Sequence, residues 1–248
     1  MKIGVCNIKG GVGKTTTAIN TAACLALLGK KALIVDSDPQ GAATEGLGID
    51  QWKPEKTMYD VFMDEIPIED VVIRTEVEGL YLAPSNLNLS GAEIELAAVL
   101  GRESILKRAL EDVDYDYIFI DTPPNPGILT VNAMVACDLL IMPLQCEFYA
   151  MIGARQLLDM AGRVKKALGN DPQKRILLTM YDARTKLSKE VADGIRDKFG
   201  DMVFNTVIPN NVRLAEAPAN GEPICFYDPA SSGAIAYKEL AEEILCLA

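Results

Sequence analysis

The segment KIGVCNIKGGVGKTT, residues 2–16, constrains this chain more than any other. A short apolar run, Ile3 to Cys6, leads into Gly10-Gly11-Val12-Gly13-Lys14-Thr15-Thr16, and a helical pattern begins at once. Strand, glycine-rich turn, lysine, hydroxyl and helix form the layout of a phosphate cradle. Glycines let backbone N–H groups approach phosphate oxygens, and the helix N-terminus adds partial positive charge. In this layout Gly10, Gly11, Val12, Gly13 and Thr16 line the phosphates, Lys14 reaches the β- and γ-phosphates, and Thr15 holds Mg²⁺. The usual G-x-x-x-x-G-K-[ST] pattern has glycine where this chain has Ile8, and a second lysine, Lys9, opens the loop instead.

A strand that feeds such a loop belongs to an α/β sheet, and the rest of the chain keeps the alternation. Ile19, Ala22, Ala23 and Ala26 repeat at helical spacing after the loop, with Gly29 as a helix stop. Strands are predicted at Lys31–Asp36, Leu80–Ala83, Asp116–Asp121, Leu139–Pro143 and Arg175–Met180. Their near-continuous apolar runs suit parallel strands covered on both faces. Helices are predicted near 152–168, 187–199 and 234–247, and over 92–110 with an interruption at Gly101. Residues 41–78 give no clear assignment. The expected fold is a doubly wound, mostly parallel α/β sheet with helices on both faces, its ligand lying beyond the C-terminal strand ends. No linker or low-complexity stretch divides the chain, so one domain over residues 1–248 is expected.

Two predicted strands end in carboxylates: Asp36 and Asp38 in VDSDPQG, and Asp121 in FIDTPP. Parallel strands deliver these groups to the same sheet edge as the phosphate loop. There they can hold Mg²⁺-bound waters or orient an attacking water, although aspartate also caps loops.

Composition excludes other chemistries. The chain has no histidine, which removes Ser-His-Asp triads and histidine metal ligands. Its six cysteines are scattered through apolar segments without a C-x-x-C pair, as expected of buried reduced thiols and not of an iron–sulfur cluster. No apolar run is long enough for a membrane span, and no signal peptide precedes the first strand, so a cytoplasmic protein is expected. The net charge of −11 opposes long-range attraction to nucleic acid, leaving only a local basic patch as a route to it.

KGGVGKT resembles the deviant Walker A loop of the ParA/MinD group of P-loop ATPases, in which the extra lysine crosses a dimer interface to the partner's nucleotide. VDSDPQGAAT, LTVNAMVACD, PLQCEFYA, LLTMYDART, VIPNNVRLAEAP and YDPASSGAIAY resemble segments of ParA/Soj partition ATPases, in the same order. The resemblance implies ATP and Mg²⁺ as ligands. It casts Lys9 and Lys14 as the catalytic lysines, Asp38 as the residue that orients the hydrolytic water, and Asp121, with Thr15 and Asp36, at the metal. It places Pro209 and Asn211 on the adenine, and Arg184 and Arg213 on nonspecific double-stranded DNA. It further implies an ATP-dependent homodimer, a ParB-like activator, and a nucleoid-associated role in chromosome or plasmid segregation. A MinD-like regulator or a cargo-positioning ATPase of the same group is the alternative. The loop starts at residue 9, so no N-terminal helix-turn-helix domain is expected, and the acidic end AEEILCLA differs from the basic membrane helix of MinD relatives. Three departures stand out: Asn210 where relatives often have arginine, Asn125-Pro126 for the common Ser-Leu, and Ile152 for a usual glutamate.

Overall fold

The computed structural model describes residues 1–247. Eight strands form its sheet: β1 (Lys2–Val5), β2 (Ala32–Asp36), β3 (Ile73–Arg74), β4 (Leu80–Ala83), β5 (Tyr117–Asp121), β6 (Leu139–Gln145), β7 (Gln173–Tyr181) and β8 (Val203–Pro209). They lie in the order β3-β4-β2-β5-β1-β6-β7-β8. All neighbours are parallel except β3 and β4, whose antiparallel pairing closes one edge. Along the chain run α1 (Lys14–Leu27), α2 (Ala42–Gly46), α3 (Met58–Met63), α4 (Leu89–Glu95), α5 (Ile105–Ala109), α6 (Ile128–Ala136), α7 (Ala150–Leu168), α8 (Lys186–Phe199), α9 (Arg213–Glu216), α10 (Ile224–Tyr227) and α11 (Ser232–Leu245).

Strand periodicity builds two cores, one on each face of the sheet. In β2, Leu33 and Val35 join one apolar cluster, while Ala32 and Ile34 join the other. β5 divides in the same way, with Ile118 and Ile120 on one face and Phe119 on the other. Successive side chains of a strand point to opposite faces, so a continuous apolar run serves both. Residues of α4 to α7 cover the first face, and residues of α1 and α11 cover the second. Each fully buried Leu, Ile or Phe contributes roughly 1.5–3 kcal/mol. Ala18, Ala22 and Ala23 are fully buried in α1, and these small side chains let the helix lie close to the sheet. Among the described residues, no helix is long and apolar enough to cross a membrane.

The structure corrects several expectations. The predicted helix over 92–110 is broken into α4, two short 3₁₀ turns and α5. Gly101 adopts φ +72°, a left-handed conformation that ends helical propagation, and the Arg102 guanidinium donates to the Leu96 and Ala97 carbonyls in front of it. β3, β8 and α6 were not predicted. α6 is apolar on nearly every side, so it carries no amphipathic period to read. The cysteines are less uniform than expected: Cys6, Cys24, Cys137 and Cys146 are buried, Cys225 is half-buried and Cys246 is exposed.

Candidate functional site

β1 lies between β5 and β6, where the chain's crossovers change direction, and the loop of residues 6–13 opens at that point. Asn7, which sequence reasoning missed, begins the loop's architecture. It is buried, its Nδ2 donates to the Pro143 carbonyl at 2.6 Å, and its Oδ1 accepts the Lys9 backbone N–H at 2.9 Å. Thr179, also missed, holds the apex: its hydroxyl donates to the Val12 carbonyl at 2.9 Å. Both anchors come from side chains that look like ordinary strand residues in the sequence. Gly11 and Gly13 have φ of +74° and +91°, so side chains with a Cβ would strain the turn at both positions. Gly13 caps α1 without any side-chain hydrogen bond, and no acidic residue occupies the first turn. The first amides of α1 are therefore free to bind an anion.

Lys14 is buried, and among the described residues its Nζ has only a long 3.4 Å hydrogen bond, to the Lys9 carbonyl. Burial lowers its pKa, while the charges of Asp121 and Asp38 oppose that shift. An ammonium desolvated but weakly bonded is prepared for a strong acceptor such as phosphate. Lys9 lies on the outer side of the loop, where its Nζ forms an ion pair with Glu147 at the end of β6.

The carboxylates converge as their strand positions require. Asp36 and Asp121 are register partners in β2 and β5. Asp121 Oδ2 accepts the Thr15 hydroxyl at 2.6 Å, whereas its Oδ1 is buried and has no hydrogen-bond partner among the described residues. The nearby Ser37 hydroxyl is equally unpartnered, and the Ser37 N–H donates to the Asp121 carbonyl. A buried acceptor without a donor is costly, so a hydroxyl–carboxylate pair with one orphaned oxygen fits a hard cation. Asp36 serves a different local purpose. Its Oδ2 accepts the Thr44 N–H and hydroxyl at 2.9 and 2.8 Å, and its Oδ1 accepts the Asp38 N–H at 3.2 Å. It thereby shapes the turn that carries Asp38, whose Oδ1 accepts the Gln40 N–H.

Burial raises the Asp121 pKa to about 8, with the Asp36 charge adding to the shift; burial likewise raises that of Asp36. A raised folded-state pKa means that the folded chain binds the proton more tightly than the unfolded chain. Stability therefore falls as pH rises from the ordinary carboxylate range towards about 8, by at most about 1.4 kcal/mol per pH unit for one proton. Asp121→Asn is expected to flatten that slope in urea-melt midpoints measured without Mg²⁺ from pH 5 to 8. Parallel curves for the two proteins would show that Asp121 does not carry the proton.

Beside the loop, Gly13, Thr16, Met180, Pro209, Asn211 and Tyr237 line a cavity of about 170 Å³. Pro209 and Asn211 thus reach the same site as the phosphate loop. Asn211 Nδ2 donates to Ser232 and its Oδ1 accepts the Arg213 N–H. Met180, absent from the expected set, adopts φ +51° at a register shift between β7 and β8.

The two arginines extend from neighbouring strand ends but are not bare charges. Arg184 makes a two-pronged pair with Asp182 at 2.9 and 2.8 Å, and that pairing holds the Asp182 carboxyl down at about 2. Arg213 pairs with Glu216 at 2.7 Å and with Asp228 at 3.4 Å.

The chain is similar to known proteins over nearly its whole length. A family model described as an AAA domain matches residues 1–175. The chain is 50% identical over 245 residues to the sporulation initiation inhibitor protein Soj of Bacillus subtilis, covering 98% of this chain and 97% of that protein. It is 45% identical over 248 residues to the chromosome partitioning protein ParA of Caulobacter vibrioides, covering 98% and 93%. Among solved structures, it superposes with a TM-score of 0.85 and 36% identity on a cobyrinic acid a,c-diamide synthase from Mycobacterium smegmatis. That structure contains a bound ATP analogue and magnesium, and the match covers 98% of this chain and 93% of that one.

Proposed function

The chain belongs to the ParA/Soj family of P-loop ATPases, and from that premise we propose that it binds ATP with Mg²⁺, dimerises around the nucleotide, holds DNA nonspecifically and hydrolyses ATP slowly under a ParB-like activator. The observation that carries the nucleotide part is the Thr15–Asp121 pair, with its orphaned carboxylate oxygen, beside a desolvated and under-bonded Lys14. The α1 amides and Lys14 bind the phosphates. Thr15 and Asp121 hold the metal, and Asp36 positions the Asp38 turn as well as adding charge to the metal site. Mg²⁺, when bound, neutralises phosphate charge that builds up during transfer. Asp38 orients the attacking water, and Lys9 reaches the partner's phosphates after leaving Glu147. Phosphoryl transfer asks little covalent chemistry of the protein, so these residues act by position and charge. Pro209 and Asn211 contact the adenine from the adjoining cavity.

The DNA part rests on Arg184 and Arg213 at adjacent strand ends. Their carboxylate partners weaken each as a phosphate ligand, but exposed ion pairs contribute little and exchange readily. A dimer joins two weak patches, which makes binding depend on ATP through effective concentration. With ATP and Mg²⁺, the protein is expected to retard DNA of any sequence at low salt, and the retardation should fade steeply as salt rises. Arg213→Glu should reduce affinity by roughly tenfold or more while leaving ATP-dependent dimerisation intact. Absence of a shift at low salt would remove DNA from this proposal and leave the ATPase assignment standing. Segregation of a chromosome or plasmid is the cellular role that this set of activities supports.

A further inference from the structure

A cavity larger than the one beside the loop lies away from the nucleotide site. It measures about 600 Å³ and opens between the C-terminal half of α1, α10 and α11. Leu27 and Ile235 form apolar wall, and both are exposed. Two cysteines remote in sequence meet on its lining: Cys24 on α1 and Cys225 on α10. The segments that carry them are tied beside the pair: the Ile224 N–H, next to Cys225, donates to Asn20 Oδ1 at 2.7 Å, one helical turn before Cys24. Cys24 is buried, whereas Cys225 is half-buried.

We propose that Cys24 and Cys225 form a redox-active dithiol that low-molecular-weight disulfides convert into an intramolecular disulfide, with the cavity as the entry path. The volume falls within the range of pockets that accept small molecules. The two thiols have distinct roles. Cys225 is the attacking thiol: it is the more exposed of the two, and its surroundings lower its pKa. Cys24 is the resolving thiol: it is buried, and its neighbour Cys225 together with that burial raises its pKa. Lys238 on the rim favours thiolate formation, while Glu239 and Glu242 on the same lining oppose entry of an anion.

The chemistry balances as two exchange steps. The Cys225 thiolate attacks one sulfur of the incoming disulfide, breaking its S–S bond and expelling one thiolate. Cys24 then attacks the Cys225 sulfur of the mixed disulfide. Its proton passes to the departing thiolate, and the second small thiol leaves. Two protein thiols are oxidised and one small disulfide is reduced to two thiols. The product fastens α10 to α1, the helix that begins at the phosphate loop. The hydrogen bond from Ile224 to Asn20 already runs the same way.

The test is incubation of the reduced, full-length protein with 2-hydroxyethyl disulfide, an uncharged disulfide that the lining glutamates do not repel, followed by alkylation in denaturant and peptide mass spectrometry. The expected product lacks two hydrogens, joins the Cys24 and Cys225 peptides and leaves Cys6, Cys137 and Cys146 fully alkylated. Exposed Cys246 reports that the reagent is active by taking up mercaptoethanol as a mixed disulfide. The crosslink should raise the melting temperature by roughly 5–10 °C, because it closes most of the chain into a loop. Cys225→Ser and Cys24→Ser should each remove the crosslink, and neither replaces a residue of the nucleotide site. A persistent mixed disulfide on Cys225 with Cys24 still alkylated would overturn the proposal. So would two free thiols after Cys246 has reacted, or a crosslink between other cysteines.

Discussion

Lys14→Ala is expected to weaken ATP binding by about 100- to 1000-fold without loss of folding. The lysine can give charge-assisted hydrogen bonds to two phosphates, each worth about 1.5–3 kcal/mol, and the lower part of that sum, about 3–4 kcal/mol, corresponds to such a ratio. Part of the cost of binding is already met in the free protein. The side chain is buried before any nucleotide arrives, and burial lowers its pKa. Among the described residues its one hydrogen bond is the 3.4 Å bond to the Lys9 carbonyl, so truncation removes little that stabilises the fold. Calorimetry and thermal melting measure the two effects separately. Comparable ATP affinity in mutant and wild type, with both folded, would rule out this loop as the phosphate site. If the mutant fails to fold, the same comparison with Lys14→Met, which keeps the length of the side chain, decides the question.

Lys9→Ala and Asp38→Ala should fail in opposite ways. Lys9 is paired with Glu147 on the outside of its own loop and does not point into its own phosphate cradle. Its removal should leave ATP binding near normal but prevent the nucleotide-bound dimer, and hydrolysis should drop with it. Asp38 stands on a turn fixed by Asp36 and Gln40, close enough for its charge to act on Lys14. Without that carboxylate the attacking water loses its orientation, and turnover should fall on the order of 10²- to 10³-fold. The Asp38→Ala protein should then accumulate as an ATP-bound dimer. Gel filtration with ATP and Mg²⁺, together with phosphate release, separates the two outcomes. If both variants dimerise and hydrolyse like wild type, the roles given to these residues are wrong.

The carboxylate arrangement shows why some of the site is legible in the order of residues. Asp36 and Asp121 each follow an apolar strand, and parallel pairing then places them side by side. Their division of labour is not legible in the same way. Asp36 is occupied by Thr44 and the Asp38 backbone, whereas Asp121 meets Thr15 and keeps an oxygen free of partners among the described residues. Both look alike in the sequence because the difference comes from neighbours brought in by the fold. The arginines repeat the point. Arg184 has its partner two residues away in the chain, yet only the folded turn forms the two-pronged contact, and Arg213 draws Asp228 from beyond α9.

The phosphate loop, the alternating α/β order and the sheet edge that carries the site all follow from the linear order of residues. Those features depend on local chemistry: glycine's freedom of φ, the period of apolar residues, and the polarity shared by parallel strands. What holds the loop, what occupies each charged group, and which distant side chains meet are settled only when the chain is folded. Asn7 reaches Pro143, Thr179 reaches Val12, Glu147 engages Lys9, and Ile224 reaches Asn20. Each of those contacts joins segments far apart in the chain. Their geometry is set by strand order and helix packing, which no local pattern of residues encodes.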